Sequence, residues 1–137
     1  MQDYQSDSRQ RFDHERLDVY RVSLEFVILI TKFLESNRHI ERRFRDQLGR
    51  ASLSIPLNIA EGNGKRSRRD RRRFLEIARG SAMESAAILD LLSATQTISP
   101  EEFTNAKRLL IRVVSMLTRM TSSAQKLERN PDLASKQ

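Results

Sequence analysis

The seventeen residues Asp46–Gly62, DQLGRASLSIPLNIAEG, decide how this chain folds. At 100° per residue, Leu48, Ala51, Ile55 and Ile59 fall on one stripe of a helix, with Phe44 just ahead of it. Leu53, Leu57 and Ala60 fall on the roughly opposite side. Between the two run Gln47, Arg50, Ser54, Asn58 and Glu61, spaced three or four apart, and Gly62 marks the stop. A helix on the surface of a monomer needs only one apolar side. Two such sides divided by a polar seam imply a core on one and a partner on the other. Pro56 lies inside this helix, removes one backbone donor and crowds the carbonyl of Ser52, so a bend is expected.

Upstream, a first helix is predicted from about Leu17 to Asn37, with Asn37 as its stop. Its polar wedge is narrow, made of Arg21, Glu25, Lys32 and Glu35. Tyr20, Leu24, Val27 and Leu34 cover one apolar side, and Val22, Phe26, Leu29 and Phe33 cover another. One neighbouring helix cannot bury both, so Phe26 and Phe33 join Leu53 and Leu57 as expected subunit contacts. The second helix begins near Glu41. Asn63-Gly64 then breaks the chain where glycine can take a positive φ.

Downstream, Ser67 is an N-cap with Asp70 three residues on, and Phe74, Ile77, Ala78, Ser81, Ser85, Ile88 and Leu92 form the stripe of a third helix ending around Thr95. Ser99-Pro100-Glu101-Glu102 opens a fourth: a cap, a proline at the first position and an acidic first turn. Phe103, Ala106, Leu110, Val113, Leu117 and Met120 carry it to Leu127. Four long helices with short links give an all-α, up-down-up-down four-helix bundle over residues 16–129. Residues 1–15 and 130–137 are expected to be flexible tails.

Composition agrees. A 137-residue chain with 31% charged residues, 4 Gly and 3 Pro suits one helical domain. The absence of cysteine removes disulfides and thiolate chemistry and suits a reducing cytoplasm. The polar start, MQDYQSDSRQ, is no secretory signal, and the apolar run Phe26–Ile30 is too short to span a bilayer. A cytoplasmic protein without a membrane partner is expected.

The charge is concentrated. Lys65–Arg73, KRSRRDRRR, holds Lys65, Arg66, Arg68, Arg69, Arg71, Arg72 and Arg73 against the single Asp70, nearly all of the net +7. Positive charge in a first helical turn opposes the helix dipole, so such a cluster implies an anionic partner, most simply phosphates. The run contains no aromatic residue on which bases would stack, which favours sequence-independent contact with an RNA or DNA backbone. The alternative is an interaction scaffold whose basic rim docks an acidic protein.

No cofactor is expected. GNGKRS, Gly62–Ser67, is not a phosphate loop: Ile59 stands in place of its first glycine, Arg66 follows the lysine, and a helix precedes it. His14 and His39 are the only histidines and neither lies in a Glu-x-x-His motif, so a di-iron centre is not expected. Glu61, Glu76 and Glu84 with Arg50 are the one place for paired-carboxylate chemistry. Without histidine, cysteine or a metal ligand beside them, they read instead as a structural polar seam with Ser54 and Asn58.

The stretch Asp46–Gly62 and FLEIARGSAMES, Phe74–Ser85, together resemble the four-helix-bundle family of 23S ribosomal RNA intervening-sequence proteins. That family includes the accessory variability proteins of diversity-generating retroelements. The string RASLSIPLNIAEG is long and unusual, and the resemblance runs in order from about Leu17 to Leu92. It implies a homopentameric barrel with a basic surface that binds nucleic acid or a nucleoprotein enzyme such as a reverse transcriptase, and that is not an enzyme itself. The family's Arg, Ser, Asn and Glu positions fall on Arg50, Ser54, Asn58, Glu61 and Glu84. Many relatives carry fewer arginines in the basic run, and that departure strengthens the nucleic-acid reading.

Overall fold

The computed structural model describes residues 11–132. Four helices follow a single 3-10 turn at Asp13–Arg16: α1, Asp18–Ser36; α2, Arg42–Asn63; α3, Arg68–Ala94; and α4, Pro100–Arg129. Each packs against the next, and α1 against α4 closes an up-down bundle.

Local chemistry sets the ends. The Ser67 hydroxyl accepts the Asp70 N–H at 3.3 Å and starts α3. Ser99 and Glu102 make a reciprocal capping box at α4, with bonds of 3.1 and 3.3 Å and Pro100 at the first position. The end of α1 is closed from two sides. Asn37 Nδ2 donates to the Phe33 carbonyl at 2.8 Å, and Arg45 of α2 donates to the carbonyls of Leu34 and Asn37, both at 2.9 Å. These bonds satisfy carbonyls that the helix end leaves without partners.

The turns differ from expectation. Gly64 adopts φ −79°, so α2 passes into α3 without a left-handed residue. The positive φ is instead at Gln96, 57°, in the α3–α4 link. Gly62 is required for another reason: a Cβ there would lie 2.9 Å from Phe74 Cβ and 3.3 Å from the Arg71 carbonyl. The start of α3 is laid directly on the end of α2. Pro56 is buried, and α2 runs through it from Arg42 to Asn63.

The core draws on all four helices, with Phe26, Ile30, Leu48, Ile55, Ile59, Leu89, Leu110 and Leu117 fully buried. Phe26 and Phe33, expected at a subunit interface, are 0% and 5% exposed within the protomer itself. The reason is that α1 needs only one inward stripe, Val19, Val22, Phe26, Ile30 and Phe33, which leaves Leu24 and Ile28 outside. In α3, Leu75, Ala82 and Leu89 enter the core, whereas Ile77 remains 45% exposed. Of the N-terminal segment expected to be a tail, residues 13–15 belong to the 3-10 turn. Phe12 N–H bonds to Glu15 at 2.8 Å, and the Asp13–Arg16 turn packs on α1 and α2. The outer parts of both expected tails, residues 1–10 and 133–137, lie outside the described residues. Among the described residues no helix is long and apolar enough to cross a membrane.

Candidate nucleic-acid interface

The close approach at Gly62 places the basic run at one end of the bundle, across the α2–α3 turn and the first two turns of α3. There the seven cations divide into groups. Arg66, Arg68 and Arg69 are exposed, and no carboxylate among the described residues pairs with them. Lys65 and Arg73 both lie over the Phe74 ring, 5.1 and 5.3 Å from its centroid. A ring face steadies these side chains without neutralising them. Lys65 also stands 3.9 Å from Glu61. Arg71 Nε donates to the Lys65 carbonyl and braces the turn.

Arg72 is different. Its Nε and Nη2 donate to the two oxygens of Glu128 on α4, each at 2.9 Å, and Nη1 reaches Glu76 at 3.3 Å. The hydrogen bond to Glu128 is the chief reason its guanidinium stays charged even above the ordinary arginine range. The residue is a tie between α3 and α4, with Nε, Nη1 and Nη2 each donating to a carboxylate.

The polar seam is smaller than the sequence suggests. The hydroxyls of Ser54 and Ser81 meet at 2.7 Å between α2 and α3. Asn58 Nδ2 donates to the Ser54 carbonyl and hydroxyl at 2.8 and 2.9 Å, and the Ser85 hydroxyl donates to the Ser81 carbonyl at 2.9 Å. Glu61 pairs with Lys65 and Glu76 with Arg72. Arg50 and Glu84 are exposed and make no ion pair among the described residues. The three glutamates thus serve separate cations or none, and no hydrogen bond joins them. Among the described residues, no group of three or more His, Cys, Asp or Glu side chains comes together to hold a metal.

On the outer face of α2 and α3, Leu53, Leu57 and Ile77 are 51%, 64% and 45% exposed. A Cβ on Gly80, in the same stripe of α3 as Ile77 and Glu84, would meet no atom within 4 Å.

Several contributors escape sequence reasoning. Glu128 is 56 residues from Arg72, and Thr118 receives Arg79 Nε at 2.9 Å from 39 residues away. Phe74 directly follows the run, and that adjacency was its signal. Phe12, His14 and Tyr20 form an aromatic cluster, with Phe12 stacked on His14 at 5.7 Å and His14 edge-on to Tyr20 at 4.8 Å.

A family model described as 23S rRNA-intervening sequence protein matches residues 15–119. The chain is also similar to a crystal structure of a protein of unknown function from the S23 ribosomal protein family of Bacteroides thetaiotaomicron VPI-5482. Sequence identity is 30%, the TM-score is 0.70, and the match covers 75% of this chain and 97% of that one. No curated protein matches.

Proposed function

Because the chain belongs to the 23S rRNA-intervening sequence protein family, we propose that it is a non-enzymatic accessory protein that grips nucleic-acid backbone, and that it works as a homo-oligomeric ring. The observation that carries the binding role is the exposed trio Arg66, Arg68 and Arg69, without carboxylate partners among the described residues, at the start of α3. Cations there oppose the helix dipole, and bound phosphates relieve the repulsion. Arg66 belongs to the turn while Arg68 and Arg73 stand about 140° apart round α3, so no single face is shaped to read a groove. The ring rests on the exposed apolar side chains of Leu53, Leu57 and Ile77 beside the exposed pair Arg50 and Glu84. Five subunits are the number that the family resemblance implies. Repeating one basic patch around a ring raises apparent affinity for long strands over short ones.

A salt titration of wild type and an Arg66→Gln, Arg69→Gln, Arg73→Gln variant, against one long RNA and one duplex DNA, tests the reading. Each neutralised phosphate contributes a slope of roughly −0.7 to −0.9 in log K against log salt. The variant should flatten that slope and weaken every sequence alike while keeping the oligomer and the Arg72–Glu128 tie. If wild type binds neither nucleic acid at low salt, the basic rim docks an acidic protein or a nucleoprotein enzyme instead.

A further inference from the structure

Beside the basic run a cavity of about 420 Å³ opens between the end of α2, the start of α3, the last turns of α4 and the residue before α1. Its apolar wall is Leu17, Leu75, Met120 and Leu127. Arg68, Arg71 and Arg119 line it as well. The two kinds of group suit different parts of one ligand. An apolar wall with a few convergent cations fits a flat, weakly polar body joined to an anion. Arg71 spends Nε on the Lys65 carbonyl, which fixes its guanidinium, while Arg68 and Arg119 have no carboxylate partner among the described residues. Arg68 is also the first residue of α3, so the positive end of a 27-residue helix reinforces the anion side.

We infer that this cavity takes one unstacked nucleotide of a bound single strand, its base against Leu17, Leu75, Met120 and Leu127 and its phosphate between Arg68 and Arg119. The inference rests on the nucleic-acid reading above and deepens it. The exposed arginines of the run hold backbone on any strand, and the cavity adds a contact that only an unpaired base can make. A duplex keeps its bases stacked and must pay to release one, so it cannot use the cavity as cheaply. Single strands are therefore favoured over duplexes of equal charge. Base identity matters little, because an apolar wall offers few hydrogen bonds by which bases are told apart.

The test uses the full-length chain and three 12-nucleotide probes: oligo-dT, the same strand with abasic sites at every second position, and a 12-base-pair duplex. Wild type should bind the intact strand about tenfold more tightly than the abasic one. Ser123→Trp fills the cavity from its α4 wall without changing charge. It should abolish the intact-over-abasic preference and leave duplex binding and its salt slope unchanged. Arg119→Gln should weaken the single strand and reduce its salt slope by about one phosphate. If wild type binds the intact and abasic strands equally, the cavity inference is wrong while the backbone reading stands, and this arm decides even should Ser123→Trp fail to fold. If wild type binds none of the three probes at low salt, the nucleic-acid reading itself falls. Protection of the cavity by decanoate, with no discrimination between intact and abasic strands, would assign it to an apolar acid instead.

Discussion

Arg72 and Glu128 face one another across α3 and α4 in a two-pronged pair, with both hydrogen bonds at 2.9 Å and each side chain 24% exposed. The fork of a guanidinium matches a carboxylate, and that geometry makes such pairs stronger and more directional than a lysine contact. The pair joins the last turn of α4 to the basic end of α3, so within a run of similar residues one has a structural task. Arg72→Gln should lower the melting temperature and leave the salt slope of nucleic-acid binding close to wild type. Arg69→Gln should do the reverse, with unchanged melting and a slope reduced by about one phosphate. Thermal melts and salt titrations of the two variants, side by side, check the division of labour.

Gly62, in the last turn of α2, and Gly80, in the interior of α3, have opposite surroundings. A Cβ on Gly62 would press to 2.9 Å on Phe74 Cβ and 3.3 Å on a backbone carbonyl, atoms that cannot move without shifting the start of α3. Gly62→Ala should cost about 1–3 kcal/mol despite the better helix propensity of alanine. It should also weaken nucleic-acid binding, because the basic turn is carried on that contact. Gly80 has open space around it in the protomer. Gly80→Ala should stabilise an isolated protomer by roughly 0.5–1 kcal/mol. Chemical denaturation gives both values, and a loss at Gly80 would mean that a neighbouring subunit packs there.

Much of the fold was legible because periodicity and capping are local. Ser67, and Ser99 with Pro100 and Glu102, mark the helix starts in sequence and in structure alike. The two-sided pattern of α2 was readable for the same reason: Leu48, Ile55 and Ile59 are buried while Leu53 and Leu57 are not. On α1 the wheel alone could not say which of two apolar stripes faces inward, and Phe26 and Phe33 proved to be core. Side-chain pairs set by helix-to-helix register were not legible. Arg72 meeting Glu128, and Asp90 meeting Lys107 at 2.8 Å, depend on how α3 and α4 slide past one another. The cavity wall was likewise hidden, since Leu17, Leu75 and Leu127 come from three distant parts of the chain.

The serine pair between α2 and α3 gives a different kind of test from the glutamates beside it. Ser81→Ala removes the 2.7 Å contact to Ser54 in a half-buried seam and should cost about 1 kcal/mol. Glu84 is exposed with no ion-pair partner among the described residues. Glu84→Gln should therefore change protomer stability by less than about 0.5 kcal/mol. Urea melts at several protein concentrations distinguish the cases. A large, concentration-dependent effect of Glu84→Gln would show that the carboxylate is paired across subunits, with Arg50 as the exposed cation available to it.

Leu53 and Phe26 separate assembly from folding. Leu53 is 51% exposed and Phe26 fully buried, although both belong to apolar stripes. In a lone protomer Leu53→Glu removes little, because the side chain already meets solvent on the outer face of α2. In a ring the same change buries a carboxylate at every interface, at a cost of several kcal/mol each, and the repeated interface multiplies the effect. Leu53→Glu should thus dissociate the oligomer while the helical circular-dichroism signal stays near wild type. Phe26→Ala should instead destabilise the fold by about 3–5 kcal/mol through the cavity it leaves, whatever the oligomeric state. Light scattering with circular dichroism reads both outcomes. A wild-type mass near the 15.9 kDa of one chain would remove the ring altogether. An unchanged mass for Leu53→Glu would move the interface to another face.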